Sequence, residues 1–455
     1  MSVVNLSNFL VELNKKISNT TNDKELLILV KALEKLKTGV IFTIGTFANL
    51  PDPTENIGKL YFVEADSLLY FSFIAYNTSI AQWIPITNVS ANVLWTWGEN
   101  GSGGLGNGNA VSRCSPGTVA GNDVKWCQIS NGSAHMAAIK SDGTLWTWGY
   151  NGSGRLGTNS AILFRCSPGT VAGGGTNWCY IRSALFGNNA IKTDGTLWTW
   201  GANFTGSLGD GTVASRSSPG TVAGGGTNWC QVSNGGNNSG QTAIAVKTDG
   251  TLWTWGCNSL GQLGDGTTVS RCSPGTVAGG GTNWCIASIS CGHAAAIKTD
   301  GTLWTWGSNG SGALGDGTTV SRCSPGTVAG GGTTWCLIDN SFLTTNNIAL
   351  KTDGTLWTWG INGGLLGDGT TVSRCSPGTV GGGGTTWCEA SVGYGAMAVK
   401  TDGTLWTWGR NDQGLLGDGT AVARCSPGTV VGGGTTWVKA CNSVGSSIAI
   451  TKETL

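Results

Sequence analysis

Charged side chains are scarce in this chain of 455 residues. They make up 11% of it, against about 25% in an ordinary soluble domain. Lys and Arg together number 26 and Asp and Glu together number 25, so the formal net charge is +1. Proteins that bind nucleic acid through bulk charge need a clear excess of positive residues. This composition therefore argues against nucleic-acid binding of that kind.

Long apolar runs and metal-binding residues are also missing. No run of apolar residues is long enough for a transmembrane helix, and Met1 to Ser18 lacks the apolar run of a secretory signal. Only two histidines and no Cys-x-x-Cys pattern occur, so the usual zinc-ligand sets are absent. No nucleophile stands in a recognisable pattern with a base and an acid. We therefore predict that the protein is not an enzyme and needs no cofactor.

Glycine and tryptophan are abundant instead, with 77 and 22 copies, and both follow a repeat. The sequence Leu-Trp-Thr-Trp-Gly occurs seven times, starting at Leu94, Leu145, Leu197, Leu252, Leu303, Leu356 and Leu405. Ser-Pro-Gly-Thr-Val also occurs seven times, and one further Trp closes each unit, so only Trp83 lies outside the array. A repeat at a nearly fixed period indicates a repeat architecture. We expect the repeated tryptophans to form its core, with stacking on carbohydrate as the alternative.

Each unit has the pattern of four short strands, which we call a, b, c and d. In one unit, strand a is Trp126 to Ser130, strand b Ala137 to Lys140 and strand c Thr144 to Trp148. Asp142-Gly143 between strands b and c is a hairpin signal, because glycine tolerates positive φ. Strand d follows around Thr170 and Val171. Four strands in about 50 residues are typical of a propeller blade.

The ends of the array predict how the ring closes. The first Leu-Trp-Thr-Trp-Gly, at Leu94, has no strands a and b before it. The last unit supplies strand a (Trp437 to Cys441) and strand b (Ser447 to Lys452) with no strand c after them. Pairing these strands completes a blade and removes two exposed edges. We predict a mainly β protein, with a seven-bladed β-propeller over residues 91–455 closed by N- and C-terminal strands that share one blade.

The repeat resembles that of the regulator of chromosome condensation (RCC) family. The resemblance is carried by Trp306 to Thr318, Arg322 to Pro325, Gly292-His293 and Asp300 to Trp304, and it extends over all seven units. It implies the propeller fold, whereas family members include nucleotide-exchange factors and protein-binding inhibitors, so it implies no single function. The strand-entry histidine of the family occurs here only as His135 and His293, and we expect both to be surface or turn residues.

Differences between the repeats fall on one side of the predicted disc. The b–c and d–a connections keep their length, whereas the a–b and c–d connections vary, and in an antiparallel meander these two share a face. Neutral drift and partner recognition both produce such variation, and we favour recognition by loops on a rigid scaffold. The candidate partner-binding residues of this face are Glu99, Tyr150, Ile361, Arg410, His135, Leu185, Phe186, Asn237, Asn238, His293, Phe342, Leu343 and Tyr394.

The fifteen cysteines do not form the pattern of a disulfide framework. Their number is odd, and twelve of them occupy two repeat positions, where Ser217 and Val438 replace single members. Since bridges within a repeat would be lost in pairs, we predict small, buried or half-buried free thiols.

The repeated Asp of Leu-Gly-Asp-Gly-Thr does not form the pattern of a calcium site. Each copy supplies one carboxylate, whereas a calcium loop needs several. We interpret this Asp as a turn residue that bonds its own backbone.

The first 90 residues have a different composition. Leu6 to Ile17 and Asp23 to Leu36 show helical apolar spacing, so residues 1–38 are predicted to form a helical attachment or oligomerisation segment. Residues 39–90 are predicted to form a small β module with strands at Val40 to Ile44, Gly58 to Val63, Leu68 to Phe73 and Gln82 to Ile86. Segments such as Ala48 to Pro51 and Asn56 to Glu64 resemble modules of bacteriophage tail-fibre and other virion proteins, and Glu25 to Glu34 is similar to leaders of cyanophage structural proteins.

These observations lead to three hypotheses of function. The leading one is a non-enzymatic phage virion protein, made in the host cytoplasm and located in the virion. Residues 1–90 would attach it to other virion proteins or form a homo-oligomer such as a trimer, and the propeller would bind a host-surface receptor, a glycan or a neighbouring protein. The alternatives are a cytoplasmic propeller that regulates a partner protein, and a glycan-binding lectin.

Deletion of residues 1–38 tests the predicted oligomerisation role. Short helices with one apolar stripe are marginal alone, so we expect the intact chain to be oligomeric and the truncated chain to be monomeric. Light scattering coupled to size-exclusion chromatography measures both molar masses. The same number of chains per particle in the two proteins would contradict the prediction.

Overall fold

The computed structural model describes ten ranges of the chain: residues 42–44, 60–63, 68–74, 81–87, 90–121, 125–237, 240–340, 345–382, 384–432 and 434–454. The helices predicted between Leu6 and Leu36 lie outside these residues. The chain divides into two compact units, residues 1–91 with 452–455, and residues 92–451. In the described part of the chain, no helix has the length and apolar character that a membrane crossing requires.

A four-stranded sheet lies in the N-terminal unit. Its strands, in spatial as well as chain order, are Phe42–Ile44, Leu60–Val63, Leu68–Ile74 and Ala81–Thr87. The first pair is parallel and the other two pairs are antiparallel. Each of these strands overlaps one that the sequence predicts.

Seven further sheets of four strands form the propeller, and we number its blades 1 to 7 by the order of their strands a. The innermost strands a are Trp126–Asn131, Trp178–Ser183, Trp229–Asn237, Trp284–Ile289, Trp335–Asn340, Trp387–Val392 and Trp437–Asn442. The strands b are His135–Lys140, Gly187–Lys192, Gly240–Lys247, His293–Lys298, Asn346–Lys351, Gly395–Lys400 and Ser446–Thr454.

The outer half of each blade consists of strands c and d. In blades 1 to 6 the strands c are Leu145–Tyr150, Leu197–Gly201, Leu252–Gly256, Leu303–Gly307, Leu356–Gly360 and Leu405–Gly409, and in blade 7 it is Ser90–Gly98. The strands d are Phe164–Thr170, Arg216–Thr221, Arg271–Thr276, Arg322–Thr327, Arg374–Thr379 and Arg424–Thr429, and in blade 7 Arg113–Thr118. One short 3-10 helix, Gly152–Gly154, lies in the c–d loop of blade 1.

The closure of the ring is the one that the sequence predicts. Blade 7 combines the C-terminal strands Trp437–Asn442 and Ser446–Thr454 with the N-terminal strands Ser90–Gly98 and Arg113–Thr118. The prediction of seven blades with one shared blade is confirmed. Strand d is the outer edge of every blade, and its pairing with strand c shifts register around Ser-Pro-Gly. Proline has no N–H to donate, so it is tolerated at such an edge.

A hydrogen bond between neighbouring blades repeats around the whole ring. The second Trp of Leu-Trp-Thr-Trp-Gly is fully buried in each blade. Its Nε1 donates to a carbonyl in the c–d loop of the preceding blade, on the residue before Leu-Gly. The seven bonds, of 2.8 to 3.0 Å, are Trp97 to Leu415, Trp148 to Gly104, Trp200 to Arg155, Trp255 to Ser207, Trp306 to Gln262, Trp359 to Ala313 and Trp408 to Leu365.

The glycine of Leu-Gly makes room for this tryptophan. Gly209 has φ +66°, and a Cβ on it would lie 2.7 Å from Nε1 of Trp255. A side chain here would therefore strain the backbone and displace the ring. Ser207 and Gly209 stand two residues apart in the same loop. That loop therefore both accepts the hydrogen bond of Trp255 and packs against its indole ring. The tryptophan and the glycine of the repeat are thus parts of one contact between blades.

Apolar packing around this contact also combines two blades at a time. One cluster joins Leu94, Ile448 and Ile450 of blade 7 to Trp126 and Trp148 of blade 1. The first Trp of each Leu-Trp-Thr-Trp-Gly is only half-buried. In blades 1 to 6 a Lys of strand b lies over its ring, as Lys192 Nζ does at 4.2 Å from the ring centre of Trp198, whereas in blade 7 Trp95 donates to Oγ1 of Thr451. The expectation that the tryptophans are mostly core is thus confirmed for two of the three positions, and the third contributes cation–π contacts.

The repeated cysteines have two different environments. The cysteine before Ser-Pro packs on a glycine of the preceding blade, as Cys166 does on Gly103, and Ser217 fills the same place in blade 2. The cysteine after the third Trp lies nearer the surface. Cys179, Cys230, Cys285 and Cys388 are exposed free thiols, so the expectation of buried or half-buried thiols is wrong for these four. Each is the second residue of its strand a, so its side chain points away from the side of the strand on which the preceding Trp packs into the core.

The two histidines are interior residues, and their expected placement at the surface is wrong. His135 and His293 are 0% exposed. Nε2 of His135 lies 3.3 Å from Oδ1 of Asn188 in the next blade, and Nε2 of His293 lies 2.8 Å from Oδ1 of Asn347. Burial lowers the pKa of His135 to about 3, with a further contribution from Arg155, and that of His293 to about 4. Both side chains therefore join blades as neutral imidazoles.

Alanine substitutions at two neighbouring glycines test the contact between blades. We expect Gly209→Ala to lower the free energy of unfolding by about 3 kcal/mol. The substitution strains the backbone, and in addition the new methyl group clashes with Trp255 and breaks the hydrogen bond of its indole. Gly211→Ala is the control, since Gly211 has φ +83° but no atom within 4 Å of its added Cβ, and we expect a loss of about 1 to 2 kcal/mol. Denaturant unfolding followed by tryptophan fluorescence measures both. Equal losses would contradict the assigned role of the tryptophan contact.

The buried histidines predict a loss of stability on acidification. Their pKa values in the folded state are lowered from 6.5. The neutral histidines therefore contribute fully to the free energy of unfolding above pH 6.5, and this contribution is lost as the pH falls towards the folded-state pKa. Between about pH 7.5 and about pH 5 we expect each to remove about 2 kcal/mol from the free energy of unfolding. The double variant His135→Gln, His293→Gln should lose this part of the pH dependence. Denaturant midpoints of both proteins at the two pH values test this, and parallel pH dependences would argue against it.

Candidate functional site

The two kinds of variable loop lie together on one face of the disc. Within a blade the residue that follows Trp-Gly bonds to the a–b loop, as Tyr150 N does to the carbonyl of Ala134 (2.8 Å) and Ser308 N to that of Gly292 (2.8 Å). The constant b–c and d–a connections meet on the opposite face, where Ser141 N bonds to the carbonyl of Lys125. We call the face of the a–b and c–d loops the variable face.

The c–d loops are held in one conformation by an asparagine. In blade 3, Nδ2 of Asn258 donates to Oδ1 of Asp265 and to the carbonyls of Thr267 and Val269, at 3.1 to 3.2 Å. Its Oδ1 accepts from the N–H of Leu263. The Asp in turn accepts from the N–H and hydroxyl of Thr267, at 3.0 and 2.8 Å, which confirms its interpretation as a turn residue. Side chains on these loops therefore stand on a rigid base.

A buried arginine joins two of the predicted binding residues. The guanidinium of Arg155 lies between the rings of Tyr150 in blade 1 and Phe186 in blade 2, 4.9 and 5.1 Å from their centres. Its N–H groups donate to the carbonyls of Gly152, Ser133 and Leu185 at 2.9 to 3.1 Å. Burial lowers the pKa of Arg155 to about 10, so the group remains charged at neutral pH. Arg155 thus holds two half-buried aromatic rings from neighbouring blades beside each other.

The other predicted residues have varied positions. Glu99, Ile361 and Arg410 are exposed, and the guanidinium of Arg410 lies 4.8 Å from the ring centre of half-buried Tyr394. Leu185 is only 5% exposed and, like His135 and His293, is too deeply buried to contact a partner, because it packs beneath its loop. Asn238, Phe342, Leu343 and the side chain of Asn237 lie outside the described residues. Partner binding by the exposed members remains a prediction.

The centre of the disc contains charged residues that were not predicted, because the sequence analysis compared only the connections between strands. Strand a is innermost, and its fifth residue is Arg182 in blade 2 and Asp339 in blade 5, on opposite sides of the ring. Their side chains approach to 3.7 Å and are 25% and 12% exposed. Asp339 also accepts from Oγ of Ser391 and the N–H of Val392, at 3.0 and 3.1 Å. An ion pair therefore spans the central channel.

Two further charged residues lie in the same channel. Burial raises the pKa of Glu389, although Lys439 and Arg182 oppose the shift, and Nζ of Lys439 donates to Oε1 of Gln128 at 3.1 Å. All four charged residues of the strands a stand at the third or the fifth position of the strand. Alignment of strand a across the units would have found them, whereas comparison of loop lengths could not.

The described residues contain no cluster of three or more His, Cys, Asp and Glu side chains that could hold a metal ion. The variable face combines fixed loops, a pair of aromatic rings and exposed charged side chains.

Comparison with known proteins agrees with the repeat and the fold. Two models described as "Regulator of chromosome condensation (RCC1) repeat" match the chain, one at residues 92–139, 249–296, 300–337 and 402–450, the other at residues 126–155 and 286–313. The chain is 29% identical over 305 residues to the ultraviolet-B receptor UVR8 of Arabidopsis thaliana, covering 64% of this chain and 66% of the receptor. It is 28% identical over 285 residues to the E3 ubiquitin-protein ligase HERC2 of Homo sapiens, covering 61% of this chain and 6% of the ligase. It thus spans less than two thirds of each relative.

Solved structures are similar at the level of the fold. The crystal structure of human WBSCR16 has a TM-score of 0.69 and 20% identity, covering 80% of this chain and 100% of that one. Yeast RCC1 (Prp20), solved bound to Kap60, has a TM-score of 0.69 and 16% identity, covering 80% and 90% of the two chains. None of these matches supports the resemblance of the N-terminal residues to virion proteins. The matched segments of the propeller are thus similar in sequence to RCC1 repeats, and the solved structures share the propeller fold.

Proposed function

We propose that this protein is an interaction module that binds a partner protein through the variable face and thereby regulates that partner. The observation that carries the proposal is the stack of Tyr150, Arg155 and Phe186 across blades 1 and 2. Aromatic residues and arginine are enriched at the energetically dominant positions of protein interfaces. Here two rings from different blades are presented together by one buried cation.

The stack is also organised before any partner binds. Three backbone carbonyls fix the guanidinium of Arg155, and the guanidinium in turn limits the motion of both rings. A side chain that is already ordered loses little conformational entropy on binding. We therefore expect Tyr150 and Phe186 to contact the partner, and Arg155, which is 5% exposed, to position them.

The relatives support a binding role without naming a partner for this chain. Yeast RCC1 (Prp20) was solved with Kap60, and a second crystal structure of Prp20p, of similar fold, is described together with its binding to Gsp1p and histones. Those partners are stated for those proteins. For this chain they favour protein binding over the virion hypothesis, whose support was the N-terminal resemblance. The family-model matches lie between residues 92 and 450, so virion attachment, virion location and glycan binding remain untested predictions.

Variants of the aromatic pair test the proposed function. The double variant Tyr150→Ala, Phe186→Ala should reduce capture of the partner at least about tenfold, because each truncation at a dominant interface position costs more than about 1 kcal/mol. Quantitative mass spectrometry of proteins retained by the immobilised full chain measures the effect.

Phe204→Ala is the matched control for this experiment. Phe204 is a 71% exposed aromatic residue in the c–d loop of blade 2, on the same face but without the arginine contact. We expect the control to keep the partner that the double variant loses, with both proteins unfolding at the same denaturant concentration as the parent. A partner retained equally by all three proteins would refute the assignment to this stack.

A further inference from the structure

An ion pair at the outer edge recurs in five of the seven blades. The Asp of Leu-Gly-Asp-Gly-Thr pairs with the Arg that begins strand d, with N–O distances of 3.2 to 3.6 Å. The pairs are Arg216–Asp210, Arg271–Asp265, Arg322–Asp316, Arg374–Asp368 and Arg424–Asp418. In these blades the arginine at the edge is neutralised by a carboxylate from its own loop.

Blade 1 keeps the arginine but lacks the carboxylate. Thr158 stands where the other loops have Asp, and Nη1 of Arg165 is buried without a hydrogen-bond partner among the described residues. Blade 7 also lacks the Asp, which is Asn107 there, but the guanidinium of Arg113 donates to the carbonyl and hydroxyl of Thr96. Of the two edge arginines without an Asp in their own loop, Arg165 is therefore the one with a buried guanidinium nitrogen that has no hydrogen-bond partner among the described residues.

The same loop of blade 1 exposes an unusual apolar run. From Leu-Gly to the arginine this loop is one residue longer than in blade 3, and Asn151 N bonds to the carbonyl of Leu163 (2.7 Å) instead of to a serine hydroxyl. As a result Ile162, Leu163 and Phe164 are 54%, 58% and 49% exposed. Other blades expose a single valine here, such as Val269, followed by a serine or alanine. The run directly precedes Arg165.

This edge is continuous with the aromatic stack of the variable face. Strand d of blade 1 starts one residue earlier than its counterparts, and Phe164 pairs with Tyr150 of strand c. Strand d is also the unpaired outer strand of its sheet. An edge strand can bind an extended peptide through main-chain hydrogen bonds, while side-chain contacts provide the selectivity.

We propose that the outer edge of blade 1 binds an extended segment of the partner that places an Asp or Glu carboxylate on Arg165 and an apolar side chain against Ile162, Leu163 and Phe164. The proposal rests on the proposed function and adds the chemistry of the partner. A carboxylate matches the fork of guanidinium N–H groups, and it is the group that the other five blades supply themselves. A single cation beside three apolar side chains favours an acidic, apolar peptide over a polyphosphate.

Thr158→Asp is the decisive variant, because it gives blade 1 the carboxylate that the other loops have. The probe is a set of fluorescent twelve-residue peptides with one central Glu flanked by Leu, Val or Phe, each paired with its Gln counterpart. Fluorescence anisotropy with the full chain measures their affinities. We expect Glu peptides to bind the parent at least about tenfold more tightly than Gln peptides, and Thr158→Asp and Arg165→Gln to remove that preference.

Asp265→Thr is the matched control, since it removes the carboxylate from blade 3, whose edge has no exposed apolar run. We expect it to leave peptide affinity and stoichiometry unchanged. Equal binding of Glu and Gln peptides, unchanged binding by Thr158→Asp, or no peptide binding at about 1 mM would overturn the proposal. If the partner is still lost by the Tyr150 and Phe186 variant in that case, the proposed function stands and only the edge site fails.

Discussion

Seven hydrogen bonds from buried tryptophans to carbonyls of the preceding blade are the constraint on which the disc depends. Each is worth only about 1 kcal/mol net, but each also fixes the position of an indole ring against a glycine in the neighbouring loop. The donor is on strand c of one blade and the acceptor is in the c–d loop of the preceding blade, so each bond joins two neighbouring blades. Because Trp148 of blade 1 bonds to Gly104 of blade 7, the series of bonds is closed and each blade is joined to two neighbours.

This constraint explains why the c–d loop can be both structural and variable. Its asparagine, its Leu-Gly and its carbonyl are committed to the loop conformation and to the next blade. The side chains of residues before, between and after these points are not part of those contacts, so they can differ without loosening the ring. Tyr150, Arg410 and the run Ile162 to Phe164 occupy such positions. Binding chemistry can therefore change from blade to blade on a base that stays the same.

Much of the fold followed from the sequence, because repeated residues with repeated tasks reveal the architecture. The count of Leu-Trp-Thr-Trp-Gly predicted seven blades, and the incomplete first and last units predicted the shared blade. The site was harder to predict. His135, His293 and Leu185 stand in variable loops or at their borders, yet they are buried, since a loop that folds over its blade has an inner side. Arg155 was not among the predicted residues, although it organises two that were, because Tyr150 and Phe186 are neighbours only after blades 1 and 2 have packed.

The sequence by itself determined the strand pattern, the number of blades, the closure of the ring and the face on which the loops vary, because these depend on local hydrogen bonding and on spacing along the chain. Only the tertiary structure decided which variable residues reach the surface, that Arg182 and Asp339 meet across the centre, and that Arg165 lacks, among the described residues, the carboxylate that five of its counterparts have. Those facts depend on contacts between blades or on the depth of a side chain. The period of the repeat reveals neither, since it is nearly the same in every unit whatever residues the neighbouring blade contributes.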